Sequence, residues 1–486
     1  MNHTFNGDEA GDTLSVYESA NFPSQFWGVR FYAHPPAYLA AGLGFAKLTS
    51  AGKRDIALFL ELLSILCSLG TVVMVFLCGQ DWFDDRVGLA AAFLYAILPA
   101  ARVFDTFVKQ DAMMVFFVMA FLFFFFKKKA PSVSTSRQTS SSKGNFSYVI
   151  SAVFLGLAFL TKEPAFFIPL AVGAFLLVSK RFRELLWLVL ATLVAGLMSF
   201  WWYAFYSVST GHFLDFFMGK GLESTLFHKP WYHYLVRIPY QVGWVVVVLC
   251  LVAVGLFIYK FAAERKGMVP FLIIWIVVTY LIFSVSYGKP PWIITISLPP
   301  FALLGAWGLT QVWDRVRVMN KKAALAIVAC VLALALGLSL AVSYNRYMYQ
   351  VDAEDFRMWV TERKMADYLN GWSPGSIMMY KDDDEPVLFY YLDSYDYGHL
   401  GYLPASAPVD AYPADKSVVL LEDKTGYQRF LERLATVRPE FALVRKEPAE
   451  PSATVNLDRT PLIDAIEKYL HLEKVRFDEA YIFRSK

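Results

Sequence analysis

Residues 111–129 read DAMMVFFVMAFLFFFFKKK. One acid, Asp111, opens an uninterrupted apolar run from Ala112 to Phe126, and three lysines, Lys127, Lys128 and Lys129, close it. A helix rises about 1.5 Å per residue, so this run reaches across most of a hydrocarbon core. The lysines mark its cytoplasmic end, because short cytoplasmic loops carry the excess of Lys and Arg. Asp111 therefore sits at the opposite membrane face. An ionisable group is costly there, which makes its neighbourhood the first place to look for function.

The rest of the chain follows the same pattern. Of its 486 residues, 57% are hydrophobic and only 18% charged, with a mean hydropathy of +0.42. Soluble domains run nearer a quarter charged, so much of this chain must lie where charge is expensive. Windows of about 20 apolar residues predict an α-helical polytopic membrane protein of about ten spans. These fall at 55–78, 86–104, 111–127, 146–161, 164–179, 184–208, 235–259, 267–286, 291–313 and 322–344. With alternating spans, one set of loops holds Lys127–Lys129, Arg137, Lys143, Lys180, Arg181, Arg183, Lys260, Arg265, Lys266, Arg315, Arg317, Lys321 and Lys322. The other set holds only Lys109, Lys162, Lys220, Lys229 and Lys289. The first set is cytoplasmic by the positive-inside rule. The net charge of +3 is dispersed over short loops, which points away from a nucleic-acid partner. Cys67, Cys78, Cys250 and Cys330 all lie in apolar stretches and suggest neither a disulfide framework nor a zinc site.

Three regions result: a first extracytoplasmic loop at 1–54, a transmembrane helical domain at 55–344 and a soluble extracytoplasmic domain at 345–486. The hydrophilic stretch 1–33 has no apolar span before it. It either crosses with the first helix or follows a further span encoded upstream, the second being the expectation. In the last region, apolar runs at 376–380, 387–391, 418–422 and 480–483 alternate with amphipathic stretches near 353–370, 425–436 and 461–472. That alternation predicts a small α/β domain. Its acidic run Asp382–Glu385, near Asp393, Asp396 and His399, lacks metal-loop spacing and reads as a solvated loop. No residues are assigned as metal ligands.

Several polar groups fall on the outer face. Asp8 and Glu9 precede Arg30 and His34-Pro35-Pro36-Ala37; Asp105, Lys109, Gln110 and Asp111 open the third span. Lys162-Glu163-Pro164 joins two spans, His228 to Arg237 enters another, and Gly288-Lys289-Pro290 precedes the ninth. Each has an ordinary reading as well. Asp8 and Glu9 can be solvated acids, Asp111 a helix cap, Lys162 and Lys289 snorkelling lysines, and the nearby Trp and Tyr an interfacial belt. Their recurrence on one face, beside Pro-rich span entries, suits sugar transfer from a lipid phosphate. A carboxylate takes the acceptor's proton, and Lys, Arg and His hold the departing phosphate.

In this order the motifs resemble the C-superfamily of glycosyltransferases (GT-C), specifically the protein O-mannosyltransferase and aminoarabinose-transferase-like group. Asp8-Glu9 is similar to its acidic motif and His34-Pro35-Pro36-Ala37 to its His-Pro-Pro-Leu motif, with Ala replacing Leu. Asp111 resembles its second carboxylate, Lys162 its recurring lysine, and His228 to Tyr234 its His-x-x-Pro-x-Tyr-Tyr-Tyr segment, with His233 for one Tyr. Ser286 to Lys289 with Pro299-Pro300 is similar to the entry of a late span. The resemblance covers about 1–310. It implies an inverting transferase that moves a sugar from a polyprenyl-phosphate carrier to an acceptor hydroxyl at the non-cytoplasmic face. Asp8, Glu9 and Asp111 would be catalytic, with Arg30, His34, Lys162, His228, Arg237 and Lys289 binding phosphate or sugar. The expected partners are the lipid-phosphate donor, the bilayer, and a glycan, lipid or protein acceptor. No cofactor is required by the reading, and a divalent cation stays open. A bacterial inner membrane is the expected location. The competing classes are a transporter or lipid-sugar flippase, disfavoured because the charges gather at one face, and a membrane-anchored binding protein.

Overall fold

A computed structural model of the chain describes residues 7–21, 35–105, 107–127, 141–210, 230–259, 267–285, 293–319 and 321–347, with five strands between 377 and 485. It divides into two units, one of residues 23–347 and one of 1–22 with 348–486.

In the first unit the helices are α2 (Ala37–Thr49), α3 (Lys53–Trp82), α4 (Asp85–Ile97), α5 (Pro99–Phe104), α6 (Asp111–Phe126) and α7 (Ser141–Phe159). A 3-10 turn at Glu163–Phe167 leads into α8 (Ile168–Val178), then α9 (Phe182–Thr210), α10 (His233–Val242), α11 (Trp244–Tyr259) and α12 (Val269–Val285). A second 3-10 turn, Ile293–Ser297, opens α13 (Leu298–Met319), and α14 (Lys321–Tyr347) follows. The second unit contains α1 (Gly7–Asn21) and the strands β1 (Ile377–Tyr380), β2 (Ser417–Leu420), β3 (Leu443–Lys446), β4 (Leu472–Phe477) and β5 (Ala480–Ser485).

This is a mostly helical integral membrane protein. Among the described residues, four helices are long and apolar enough to cross a bilayer alone: Lys53–Trp82, Phe182–Ala204, Ile293–Val318 and Lys321–Ala341. On α3, Leu58, Leu62, Leu66, Leu69 and Val73 form an exposed stripe, whereas Ile56, Leu60, Ser64, Cys67, Thr71 and Val75 are buried. The exposed stripe is the lipid-facing side of a helix whose other face packs on protein. The Ile293–Val318 window is 94% buried, against 17% for Lys321–Ala341, so α13 is central and α14 peripheral.

Two expected spans are not continuous. Residues 86–104 divide into α4 and α5 at Leu98, where Pro99 starts the new helix and lacks the N–H that would continue the old one. Residues 235–259 divide at Gly243, whose φ of 86° favours glycine, and α10 and α11 meet at 108°. By contrast, the tight turn expected near Lys162 is present between α7 and α8.

Helices α3 and α4 approach closely where both carry glycine. A Cβ on Gly79 of α3 would lie 2.7 Å from the Gly88 Cα of α4, and one on Gly88 would lie 2.7 Å from the Phe76 carbonyl oxygen. Small residues of this kind permit the backbone contact that drives helix association in lipid. Aromatic rings fill the space between the helix ends farther along. Phe126, at the lysine end of α6, lies 5.1 Å from Phe271 and 6.0 Å from Phe175, and Trp82 sits edge-on to Phe126 and Phe271 at 5.9 Å each. The Arg181 guanidinium caps this cluster, 5.7 Å from the Phe126 and Phe175 rings.

In the second unit, β1 and β2 pair in parallel, Ile377 opposite Ser417. A three-stranded antiparallel sheet has the order β3-β5-β4, with Leu443 opposite Phe483 and Leu472 opposite Ser485. The apolar runs read at 376–380, 418–422 and 480–483 lie on β1, β2 and β5. Strands β3 and β4 carry Arg445, Lys446, Glu473, Lys474 and Arg476, which hid them from a hydropathy reading. The runs at 353–370, 387–391 and 425–436 and the acidic cluster near Asp382 fall outside the described residues.

Gly88→Leu forces backbone apart rather than a side chain, so overpacking here costs at least the usual roughly 1–3 kcal/mol. Thermal unfolding in detergent is expected to show a marked fall for Gly88→Leu and almost none for the exposed-site control Leu89→Ala.

Candidate functional site

Three interruptions of helix meet at one end of α6. They are the connection 105–110 between α5 and α6, the Lys162 turn with its 3-10 segment, and the 3-10 turn at Ile293–Ser297. Both 3-10 turns touch α6 and each other. Connections between spans ordinarily lie at the surface, yet here Asp105, Lys109, Gln110, Asp111, Lys162 and Thr295 are all buried. Their convergence therefore marks a place in the bundle built for something other than spanning.

Asp111 begins α6 and is 0% exposed. Its Oδ2 accepts from the Lys162 Nζ at 2.6 Å, and the Lys162 side chain is itself only 10% exposed. Its Oδ1 accepts from the Thr295 Oγ at 3.3 Å. One carboxylate thus ties all three interruptions together. The helix N-terminus favours its negative charge, and Lys162 neutralises it. Lys162 adopts an extended backbone between α7 and the 3-10 turn. The Leu160 carbonyl just before it accepts from the Ala37 N–H at 2.8 Å, which brings the start of α2 beside this turn.

Connection 105–110 is held from the other side by α3. Ser64 Oγ donates to the Lys109 carbonyl at 3.2 Å, and one turn on, Ser68 Oγ donates to Asp105 Oδ2 at 2.9 Å. The Tyr95 hydroxyl of α4 donates to the same oxygen at 3.0 Å. Tyr38 of α2 completes the set, its hydroxyl lying 2.9 Å from both the Leu60 carbonyl oxygen and the Ser64 Oγ. Burial pushes the Asp105 carboxyl up to about 7, with the Asp111 charge adding to the rise and the two hydroxyls opposing it.

The structure thus brings Asp111 and Lys162 into contact. Asp8 and Glu9 lie in the first turn of α1, in the other unit. Arg237 is exposed on α10, beside the exposed Leu235, Val236 and Tyr240. Arg30, His34, His228 and Lys289 fall outside the described residues. Among the described residues no group of three His, Cys, Asp or Glu side chains has metal-binding geometry.

The sequence profile of the family described as dolichyl-phosphate-mannose-protein mannosyltransferase matches residues 33–204. An undecaprenyl phosphate-alpha-4-amino-4-deoxy-L-arabinose arabinosyl transferase of Pseudomonas aeruginosa is 26% identical over 312 residues, 61% of this chain and 53% of that protein. Its counterpart in Pseudomonas fluorescens is 28% identical over 290 residues, 57% of this chain and 50% of that protein. The chain spans about half the length of the curated relatives it matches. The crystal structure of ArnT from Cupriavidus metallidurans bound to undecaprenyl phosphate superposes with a TM-score of 0.65 at 15% identity, covering 100% of this chain and 94% of that one. The chain has the fold of the C-superfamily glycosyltransferases. The Archaeoglobus fulgidus oligosaccharyltransferase tethered with an acceptor peptide is more distant, with a TM-score of 0.53 at 16% identity over 92% of this chain and 60% of that one.

The matched segment 33–204 contains both members of the Asp111–Lys162 pair and all of connection 105–110, but not Thr295. Thr295, Ser68 and Tyr95 were not singled out in the sequence. A signal existed for Ser68: with Ser64 and Thr71 it forms a polar stripe at helical spacing on an apolar span, and such a stripe in lipid implies a polar partner. Thr295 offered less, since it reads as an ordinary residue of an apolar run.

Removing Lys162 alone strands a buried carboxylate, which typically costs 3–5 kcal/mol, that is, about that much here. Lys162→Met should therefore lower the thermal unfolding midpoint more than Asp111→Asn, which keeps a polar partner for both Lys162 and Thr295. Asp105 gives a pH test. Its carboxyl binds a proton more tightly in the folded chain than at the ordinary 3.8 of the unfolded one. Its contribution to stability therefore falls as pH rises from about 4 to about 7 and is flat above that. Asp105→Asn keeps both hydroxyl contacts and should flatten that part of the curve of unfolding midpoint against pH.

Proposed function

We propose that this protein transfers a sugar from a polyprenyl-phosphate carrier to an acceptor hydroxyl, with inversion, at the non-cytoplasmic face of a bacterial inner membrane. The observation that carries the reading is the buried Asp111–Lys162 pair where three helix breaks converge, within the C-superfamily glycosyltransferase fold. The relatives named above act on an undecaprenyl-phosphate sugar, and the ArnT structure holds undecaprenyl phosphate, which supports a donor of that class.

The chemistry divides among the groups as follows. The acceptor oxygen attacks the anomeric carbon while the bond from that carbon to the phosphate oxygen breaks. The electron pair leaves with the phosphate, already an anion, so no acid is needed to protonate it. The proton of the acceptor hydroxyl goes to a carboxylate, which we assign to Asp8 or Glu9 on the strength of their sequence motif. Both Asp111 oxygens are engaged and the side chain is buried. Its role is therefore to hold Lys162, whose fixed positive charge stabilises the departing phosphate. Arg30, His34, His228, Arg237 and Lys289 are assigned to the same phosphate and sugar contacts from the sequence.

The topology proposed with this function has about ten spans, counting the shorter apolar helices and the two broken ones. The loops rich in Lys and Arg are cytoplasmic. Residues 1–54 form the first extracytoplasmic segment, 55–344 the membrane domain and 345–486 a small extracytoplasmic α/β domain. The aromatic cluster capped by Arg181 supports this orientation, because it closes the end of α6 opposite Asp111.

The test is labelled-sugar transfer by membranes containing the protein, with a panel of polyprenyl-phosphate sugars as donors. Asp8→Asn and Lys162→Met are each expected to lower turnover by about 10²-fold or more at equal expression, the first by removing a general base and the second by removing a charge that stabilises the transition state. Lipid-linked sugar that changes leaflet without being transferred would instead identify a flippase.

A further inference from the structure

Gln110 stands immediately before Asp111 and is 2% exposed, yet neither polar atom of its carboxamide has a hydrogen-bond partner among the described residues. It occupies the capping position of α6 without capping it: its backbone is already helical, its carbonyl accepts the Met114 N–H at 3.0 Å, and its side chain makes no cap hydrogen bond. Two neighbouring oxygens share this condition. Asp105 Oδ1 and Glu163 Oε1 are buried without partners, although Asp105 Oδ2 accepts from both Ser68 and Tyr95. Asp105 and Glu163 both lie near enough to Asp111 to feel its charge.

Buried polar groups are nearly always paired, and each unpaired one is destabilising. A glutamine left unpaired in this way could be replaced by an apolar residue at a gain in stability. Four unpaired atoms beside the one buried ion pair of the site call for a ligand that supplies several donors and at least one acceptor. A phosphate supplies no donors, and the carboxyl oxygens would repel it. A ring bearing hydroxyl groups supplies both donors and acceptors.

We propose that Gln110, with Asp105 and Glu163 beside it, forms the subsite that hydrogen-bonds the hydroxyl-bearing sugar ring of the donor, while Lys162 faces its phosphate. The inference rests on the glycosyl-transfer reading and adds to it a residue that sets sugar specificity. Such a site rejects a sugar that lacks the matching hydroxyl, because its own buried groups are then left unpaired.

The experiment pairs stability with ligand binding. Thermal unfolding of the detergent-solubilised full chain is measured alone, with undecaprenyl phosphate, and with undecaprenyl phosphate carrying mannose or 4-amino-4-deoxy-L-arabinose. Wild type is expected to gain more stability from at least one sugar-bearing lipid than from the bare lipid phosphate. Gln110→Leu is expected to be as stable as wild type or more so without ligand. It should keep the shift given by undecaprenyl phosphate and lose the additional shift given by the sugar. In transfer assays its kcat/KM should fall about 10- to 100-fold, the effect of one or two lost hydrogen bonds. Gln110→Met, unbranched and close in volume, serves the same comparison if the leucine variant does not fold.

An additional sugar-dependent shift that survives in the variant would overturn the subsite. So would Gln110→Leu and Gln110→Met variants that are both markedly less stable than wild type without ligand, since the glutamine would then be paired through water. Equal shifts of wild type by all three lipids would also overturn it. Failure of wild type to transfer from any donor speaks against the transfer reading, whereas an active wild type matched by its variant speaks against the subsite alone.

Discussion

A carboxylate and an ammonium buried in a membrane protein must find each other, and the contact between Asp111 and Lys162 is the one around which the helical unit is arranged. Lipid offers no water to satisfy a stray charge or an open peptide group. The chain departs from α-helix between α5 and α6, at Lys162 and at Ile293–Ser297. All three departures are brought to the same carboxylate, directly or through the start of α6. Thr295 and Lys162 together occupy both oxygens of Asp111. The polar face of α3 then secures the far side of connection 105–110 through Ser64 and Ser68.

The two ends of α6 illustrate how differently the helix bundle is used along its length. At the lysine end, aromatic rings from four helices interlock around Phe126 and close the bundle with apolar contact and one capping guanidinium. At the Asp111 end, the packing gives way to hydroxyls, carboxyls and interrupted backbone. Close glycine contacts such as Gly79 on Gly88 hold α3 and α4 at a fixed spacing. That spacing sets where Ser68 of one helix and Tyr95 of the other converge on Asp105.

Much of this was legible in the sequence, because the relevant physics is local. The apolar run after Asp111 and the lysines that end it announce a membrane helix, and the Thr-Lys-Glu-Pro turn announces a break. The pairing of Asp111 with Lys162 was not legible as a pair. The two were named separately, as neighbours of one membrane face, since no pattern in one sequence reports that residues 51 positions apart meet. The break at Leu98 escaped a hydropathy reading because that segment stays apolar through the bend and Pro99 alone signals it. The break at Gly243 carried more signal, since Arg237, Pro239 and Gln241 precede it, but the apolar run from Trp244 to Tyr259 dominates the averaging window. Thr295 and Tyr95 take their importance from what packs beside them, which is tertiary information. Charged residues on β3 and β4 masked those strands, because an averaging window reads a short mix of charged and apolar residues as a loop.

A buried ion pair of this kind is rarely the most stable solution for its space. Replacing both members by apolar residues of similar size is often neutral or stabilising, whereas removing one is not. Under the proposed function, Asp111 and Lys162 are retained for the charge they present to a ligand. The most direct measurement is therefore a double-mutant cycle of Asp111→Leu and Lys162→Met, read for thermal stability and for sugar transfer on the same preparations. The double variant is expected to recover the stability lost by the single lysine variant while transfer stays abolished. Transfer that returns along with stability would show that the pair serves only to hold the fold, and would contradict the central claim.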